Sequence, residues 1–214
     1  MQAFIRETAV AAPLEGRNID TDQIIPARFL KEDKDKGYGR FLFHDLRFDE
    51  YGAEQAGFVL NQPAFRGARI LVTDVNFGCG SSREGAAYAL AHYGIRAIVA
   101  PSFGDIFYNN AMKNGMVPVR LDDAVVARLR AMLADTATAA DRNTADDASL
   151  CATVDLEHTQ ITLPDGSTHA FEIDSFWRDC LLQGKDEIGL TQDYMPEIER
   201  LEASYAQRMP WLVP

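Results

Sequence analysis

The order of apolar and turn-forming segments predicts an α/β fold with a parallel sheet. Three observations carry that expectation. First, the β-branched run Arg69-Ile70-Leu71-Val72-Thr73-Asp74-Val75 leads through a glycine-rich turn, Asn76 to Ser82, into Ala-rich helix-forming sequence at 85–93. Second, the unit repeats: Ile95-Arg96-Ala97-Ile98-Val99-Ala100 reads as a strand, 103–113 as a helix, and Val117-Pro118-Val119 as a further strand. Strand, helix, strand, helix, strand implies parallel pairing through right-handed crossovers. Third, Cys151 to Leu156 and Gln160 to Leu163 read as strands, and Pro164-Asp165-Gly166 turns the chain into Ser167–Ile173, a hairpin signal.

Taken in order, Phe4 to Val10 reads as an opening strand, and Pro13 and Gly16 turn the chain. Asn18-Ile19-Asp20-Thr21-Asp22-Gln23-Ile24-Ile25-Pro26 places two carboxylates before an apolar pair, and Pro26 leads a short helix, Ala27 to Leu30. Asp20 and Asp22 suit caps or turns, with one available to orient a site group; without a third ligand they are weak evidence for a metal pair. A long excursion follows at about 31–67, in which Phe41, Phe43, Phe48 and Tyr51 form a satellite core. It is placed to close over the anion site described below, with Lys31, Lys34 or Arg40 meeting a second carboxylate. Ser102 caps the second helix and Gly115 ends it. Asp122 or Asp123 opens a helix over 124–133, followed by a polar loop from Thr136 to Ser149. Asp174 caps a helix that Gly184 stops, and Thr191 opens a last helix through Met209, giving a helical appendage at about 174–210 on one domain spanning 1–214.

The bulk properties narrow the function classes. The chain has 214 residues, 47% hydrophobic, enough to fill the core of one domain. A net charge of −11 argues against a nucleic-acid surface. No apolar run approaches the ~20 residues that span a bilayer, and there is no basic and apolar leader, so the expected setting is the cytoplasm without a membrane partner. Three scattered cysteines, Cys79, Cys151 and Cys180, fit a reducing compartment and make no Cys-x-x-Cys. The four histidines have no ligand-like spacing, so no metal site is expected on this chain.

The stretch Asn76-Phe77-Gly78-Cys79-Gly80-Ser81-Ser82-Arg83-Glu84 is where chemistry is expected. Gly78 and Gly80 permit a tight bend and close approach of a ligand to the backbone. Ser81 and Ser82 stand where a helix N-cap belongs, beside unpaired N–H groups and the positive end of the helix dipole. Arg83 adds a fork that fits a carboxylate. An acidic protein that binds an anion needs such a local positive pocket. Ser-Ser before a helix is also, commonly, only a cap. A phosphate loop is a further reading, weakened because Gly-x-x-x-x-Gly-Lys-Ser/Thr is absent, and the third glycine of a dinucleotide motif would fall at Arg83. Cys79 is open to two readings: a small turn residue, or a nucleophile with its pKa lowered by the helix start.

With these pieces placed, the chain resembles the small-subunit family of bacterial 3-isopropylmalate dehydratases, in the aconitase superfamily. The resemblance covers nearly the full length. It rests on the 18–26 and 76–84 motifs, on Ala100-Pro101-Ser102-Phe103-Gly104-Asp105-Ile106-Phe107-Tyr108-Asn109-Asn110, on Gly115-Met116-Val117-Pro118-Val119, and on Ile188-Gly189-Leu190-Thr191. It implies a swivelling β/β/α domain, the lid of the aconitase architecture. It also implies a large partner subunit carrying a [4Fe–4S] cluster, no cofactor on this chain, and a hydro-lyase that interconverts 2- and 3-isopropylmalate in leucine biosynthesis. Ser81 then matches the base, Asp22 a site aspartate, and Ser82 and Arg83 the grip on a carboxylate of a small dicarboxylic acid; from the loop chemistry read above, Gly80 and Lys34 are expected to complete the substrate-binding set.

One departure stands out. The family usually continues Arg-Glu-His-Ala-Pro-Trp, whereas this chain reads Arg83-Glu84-Gly85-Ala86-Ala87-Tyr88. Glycine early in a helix costs up to ~1 kcal/mol relative to alanine. The change keeps other 2-hydroxy dicarboxylic acids open, of the dimethylmalate or methylmalate type, and also a non-catalytic anion-binding module.

Overall fold

Among the described residues, seven strands join in one mixed sheet: β1 (Arg6–Pro13), β2 (Ile70–Val72), β3 (Ala97–Ala100), β4 (Val117–Arg120), β5 (Cys151–Asp155), β6 (Gln160–Thr162) and β7 (Thr168–Ala170). Their spatial order is β4-β3-β2-β1-β5-β6-β7. The computed structural model describes residues 1–32, 37–139, 148–209 and 211.

Strand β1 belongs to two half-sheets of different kind. Ala11, Ala12 and Pro13 run parallel to Ile70, Leu71 and Val72. Arg6 to Val10 run antiparallel to β5. The sequence of β1 is written for both tasks: exposed and half-buried residues alternate from Arg6 to Ala9, and every residue from Val10 to Pro13 is buried. A parallel sheet covered on both faces needs continuous small or apolar residues, and an antiparallel sheet open on one face needs alternation. The neighbouring strands keep the pattern. All of β2 and β3 is buried, whereas β5 alternates. Pro118 is accommodated because β4 is the edge strand, where a missing N–H costs least.

Eight α-helices complete the described fold: α1 (Thr21–Ile24), α2 (His44–Arg47), α3 (Glu84–Tyr93), α4 (Asp105–Lys113), α5 (Asp123–Ala139), α6 (Ser175–Gln183), α7 (Glu187–Gln192) and α8 (Met195–Arg208). Helix α5 packs across β1, β2 and β3, and α3 packs on α4 and on the 3-10 turn Tyr38–Phe41. Ala86, Ala87 and Ala89 of α3 are fully buried, so small side chains let that helix sit close to its neighbours.

Several boundaries differ from the sequence reading, each for a local reason. Ser102 does not cap α4. Its Oγ accepts the Asn76 N–H at 2.8 Å, and the N-cap position is Gly104. Helix α5 continues to Ala139, past the expected end at Leu133, because Ala134, Asp135 and Thr136 extend it and the Thr136 hydroxyl bonds back to the Met132 carbonyl at 2.8 Å; residues 140–147 of the expected loop lie outside the described residues. The last helix is two helices, α7 and α8, with Asp186 capping the first. Phe41 and Phe43 belong to the main core, while Tyr51 is 87% exposed. The Asp174 cap and the Gly184 stop on α6 are as expected.

Within 37–67 the chain is pinned by buried groups. Leu42, Phe43 and Leu60 are fully buried. Buried Asn61 donates to the Arg47 carbonyl at 2.7 Å and accepts from Arg47 Nε at 3.3 Å, so both polar side chains are satisfied where water is excluded.

Candidate active site

Strands β1, β2 and β3 are parallel, so their C-terminal ends open on one edge of the sheet. Three loops leave from there, and they carry three of the five motifs. The edge beyond the carboxyl ends of parallel strands is where α/β sheets place ligands.

The loop after β2 lies between the other two and is hydrogen-bonded to each. On one side, Gly78 N–H donates to the Ile19 carbonyl at 2.8 Å, Thr21 N–H to the Cys79 carbonyl at 2.9 Å, and Asn76 Nδ2 to Asn18 Oδ1 at 2.9 Å. On the other, Phe77 N–H donates to the Ser102 carbonyl at 3.1 Å and Gly104 N–H to the Phe77 carbonyl at 2.9 Å. The glycines are required by this closeness. Gly78 has φ +73°, and a Cβ there would stand 2.2 Å from Phe107 Cγ. A Cβ on Gly104 would meet the Gly78 carbonyl oxygen at 2.6 Å.

Asp20 caps α1 with a full capping box: its carboxylate accepts the Gln23 N–H at 2.8 Å, and Gln23 Oε1 accepts the Asp20 N–H at 3.0 Å. That fixes Thr21 and Asp22 at the start of the helical turn. Thr21 is buried, and its hydroxyl donates to the Ser81 carbonyl at 3.0 Å. Asp22 is half exposed and forms an ion pair with Arg83. Asp22 is among the expected site residues and Thr21 is not. Its position between two aspartates in a short polar run was the available signal.

Ser81 and Ser82 are exposed, and neither hydroxyl bonds to a protein group among the described residues. The expectation that they cap the following helix is corrected. Helix α3 begins at Glu84, its N-cap position is Arg83, and no side chain caps it. The reason is the bond from Arg83 N–H to the Ser81 carbonyl at 2.8 Å, which inserts a tight turn before the helix and turns both serines outward. No side chain consumes the amides of the first helical turn, of which the Ala86 N–H bonds to the Arg83 carbonyl at 3.2 Å. Gly80, with φ +91°, approaches Asp20 and Thr21. The structure thus brings Asp22, Gly80, Ser81, Ser82 and Arg83 together. Lys34 lies outside the described residues.

Cys79 sits in the turn between Gly78 and Gly80, half-buried. Its thiol donates to the Asn18 carbonyl at 3.3 Å, and burial, aided by the Asp20 charge, pushes its pKa up, against nucleophile chemistry. Among the described residues, no group of three or more His, Cys, Asp or Glu is placed to hold a metal ion, and no helix is long and apolar enough to cross a membrane.

This chain sets an exposed serine pair beyond the ends of its parallel strands, and the Aconitase C-terminal domain family model matches residues 1–124, which places the fold in that class. A second model, described as LeuD_N, matches residues 152–175. The chain is 50% identical over 211 residues to the 3-isopropylmalate dehydratase small subunit of Rhodospirillum centenum, covering 99% of this chain and 98% of that one. It is 49% identical to the same subunit of Jannaschia sp., covering 99% and 100%. The solved 3-isopropylmalate dehydratase (leuD) structure from Methanocaldococcus jannaschii has a TM-score of 0.61 at 23% identity, covering 92% of this chain and 99% of that one, and shares the fold. The chain belongs to the 3-isopropylmalate dehydratase small-subunit family.

Proposed function

We propose that this chain is the lid subunit of a cytoplasmic hydro-lyase that interconverts 2-isopropylmalate and 3-isopropylmalate in leucine biosynthesis, working with a large subunit that carries a [4Fe–4S] cluster, as a heterodimer or heterotetramer. The names of its relatives support the substrate and the partner. Its sparse set of three cysteines suits a reducing compartment. The family resemblance assigns the cluster to the partner, where its iron would supply Lewis acidity toward the departing hydroxyl.

The observation that carries the reading is the free Ser81 hydroxyl, held outward on a turn whose carbonyl is fixed by buried Thr21. As an alkoxide, Ser81 takes the proton from the carbon next to the one that loses hydroxide, and the electrons of that C–H bond become the new double bond. Returning the proton and the hydroxide to exchanged carbons gives the isomer. The α3 start and Arg83 stabilise the negative oxygen once docking on the partner excludes water. Ser82, Arg83 and the Gly80 backbone grip a substrate carboxylate, and Lys34 is proposed for a second one. Asp22 acts by positioning Arg83. Ser81→Ala, assembled with the large subunit, is expected to lose turnover at least ~100-fold with assembly intact. Near-normal turnover would remove Ser81 from the reaction.

A further inference from the structure

The C-terminal helices carry an apolar face that no described residue of this chain covers. On α8, Tyr194 at the N-cap, Ile198, Leu201 and Tyr205 follow helical spacing and share one side. Tyr194 is 64%, Leu201 54% and Tyr205 43% exposed, and no described residue of α8 is buried. A 14-residue helix is marginal in water on its own and normally draws stability from packing such a stripe. Beside it, α6 and α7 frame an open groove of about 600 Å³, with Phe176, Leu190 and Tyr194 as apolar walls and Asp179, Glu187 and Asp193 among its lining.

We infer that the α6–α8 face is the surface by which this chain docks on its large subunit. This rests on the functional reading above. Two observations select that occupant. The family models end at residues 124 and 175, before or at the first residue of α6, yet the curated small subunits align over 98–100% of their length. The helices therefore lie within a lid that exists as a separate chain, and a separate lid needs a holding surface away from its serines. The charge also selects. Asp174 to Arg208 contains eight carboxylates against four Lys or Arg. Of the four, Lys185 is spent on Asp193 at 2.6 Å and Arg178 on the Leu156 and Glu157 carbonyls. A second copy would set acid against acid. A partner groove with an apolar floor and a Lys/Arg rim fits instead.

The test compares Leu201→Glu with Ala203→Glu in the full-length chain, titrated against the cluster-loaded large subunit under anaerobic conditions. Both add one charge to α8, but Ala203 lies on the side away from the stripe. Leu201→Glu is expected to raise Kd about 10- to 100-fold, with kcat at saturating partner unchanged, and Ala203→Glu to change Kd less than about threefold. Rising salt should weaken the wild-type complex. If circular dichroism shows that Leu201→Glu disturbs the helix, Tyr205→Ala and Tyr194→Ala make the same comparison by truncation. Equal Kd for all variants and wild type overturns the inference while an active wild-type complex leaves the function standing. Unchanged Kd with altered self-association of the isolated chain assigns the face to a second copy and also overturns it. No complex with the unaltered chain overturns the functional reading and this inference together.

Discussion

Arg83 is ion-paired with Asp22, which stands 61 positions earlier in the chain, and the pair joins the start of α3 to the single turn α1. The two ends differ in setting: the Arg83 side chain is 19% exposed and Asp22 52% exposed. The pair uses Nη1 alone, one nitrogen of a fork that carries five N–H donors.

Replacing Arg83 with lysine keeps the charge and loses the fork. A hydrogen bond to a charged group is worth about 1.5–3 kcal/mol, so KM should rise roughly 10- to 100-fold. Asp22→Asn should raise KM by a smaller factor. Because Asp22 acts through Arg83, the double variant should be little worse than Arg83→Lys alone. Steady-state kinetics on the assembled enzyme decide it: additive effects would give Asp22 a separate role.

Gly78 and Gly80 separate two costs of a side chain. Gly78→Ala combines a left-handed φ of +73° with a Cβ 2.2 Å from the Phe107 ring, whose own position is fixed against Phe77. It should lose about 2–4 kcal/mol and roughly 5–15 °C in Tm. Gly80→Ala has φ +91° but its nearest contact is 3.4 Å, so strain alone acts and the loss should be about 1–2 kcal/mol. Scanning calorimetry of the two variants gives the order; the reverse order would mean that the loop yields at Phe107.

Much of the local structure around the candidate site was legible because it is local. The strand, glycine turn and helix of 69–93 follow from β-branched residues, two glycines and an alanine run, and the sheet's parallel half follows from the repeat of that unit. The Asp20 capping box is likewise written in neighbouring residues. What was not legible depends on distant partners. Ser102 looks like a cap and instead serves the Asn76 amide, 26 residues away. Ser81 and Ser82 look like caps and are turned outward by a backbone bond and by Thr21, whose partner is 60 residues on. Short polar side chains choose between a neighbouring amide and a remote one, and only the packed fold settles the choice.

The Asp45 carboxyl is held down to about 2 from an ordinary 3.8, first by its hydrogen bond from Arg28. A folded pKa below the unfolded one gives stability that is present above about pH 4 and lost as pH falls toward 2, with roughly half gone by pH 3. The two side chains are 54% and 55% exposed, so solvent screening holds the contribution to about 1 kcal/mol or less. Urea midpoints of wild type and Asp45→Asn should differ modestly at pH 5 and draw closer at pH 3. A gap that widens on acidification would contradict the assignment.

Gly85 explains how the chain departs from the usual sequence at that position. It is the second residue of α3, and a Cβ built there falls 2.6 Å from Leu30 Cδ2, with Tyr38 and Ile25 at 3.8 and 3.9 Å. The space that a side chain at 85 would occupy is taken by Leu30, so the two positions are one packing unit. Alanine at 85 meets only the mobile tip of Leu30, and the helix gains about 0.5–1 kcal/mol from losing a glycine; Gly85→Ala should leave Tm within a few degrees of wild type. Histidine needs the whole Leu30 side chain to move, at a cost of about 1–3 kcal/mol. Leu30→Ala leaves a cavity alone, but in the same chain as Gly85→His it vacates the room the imidazole needs. The double variant should therefore be more stable than the sum of the single effects by about 1 kcal/mol or more. Additive losses in a denaturation cycle would mean that the two side chains do not compete for that space.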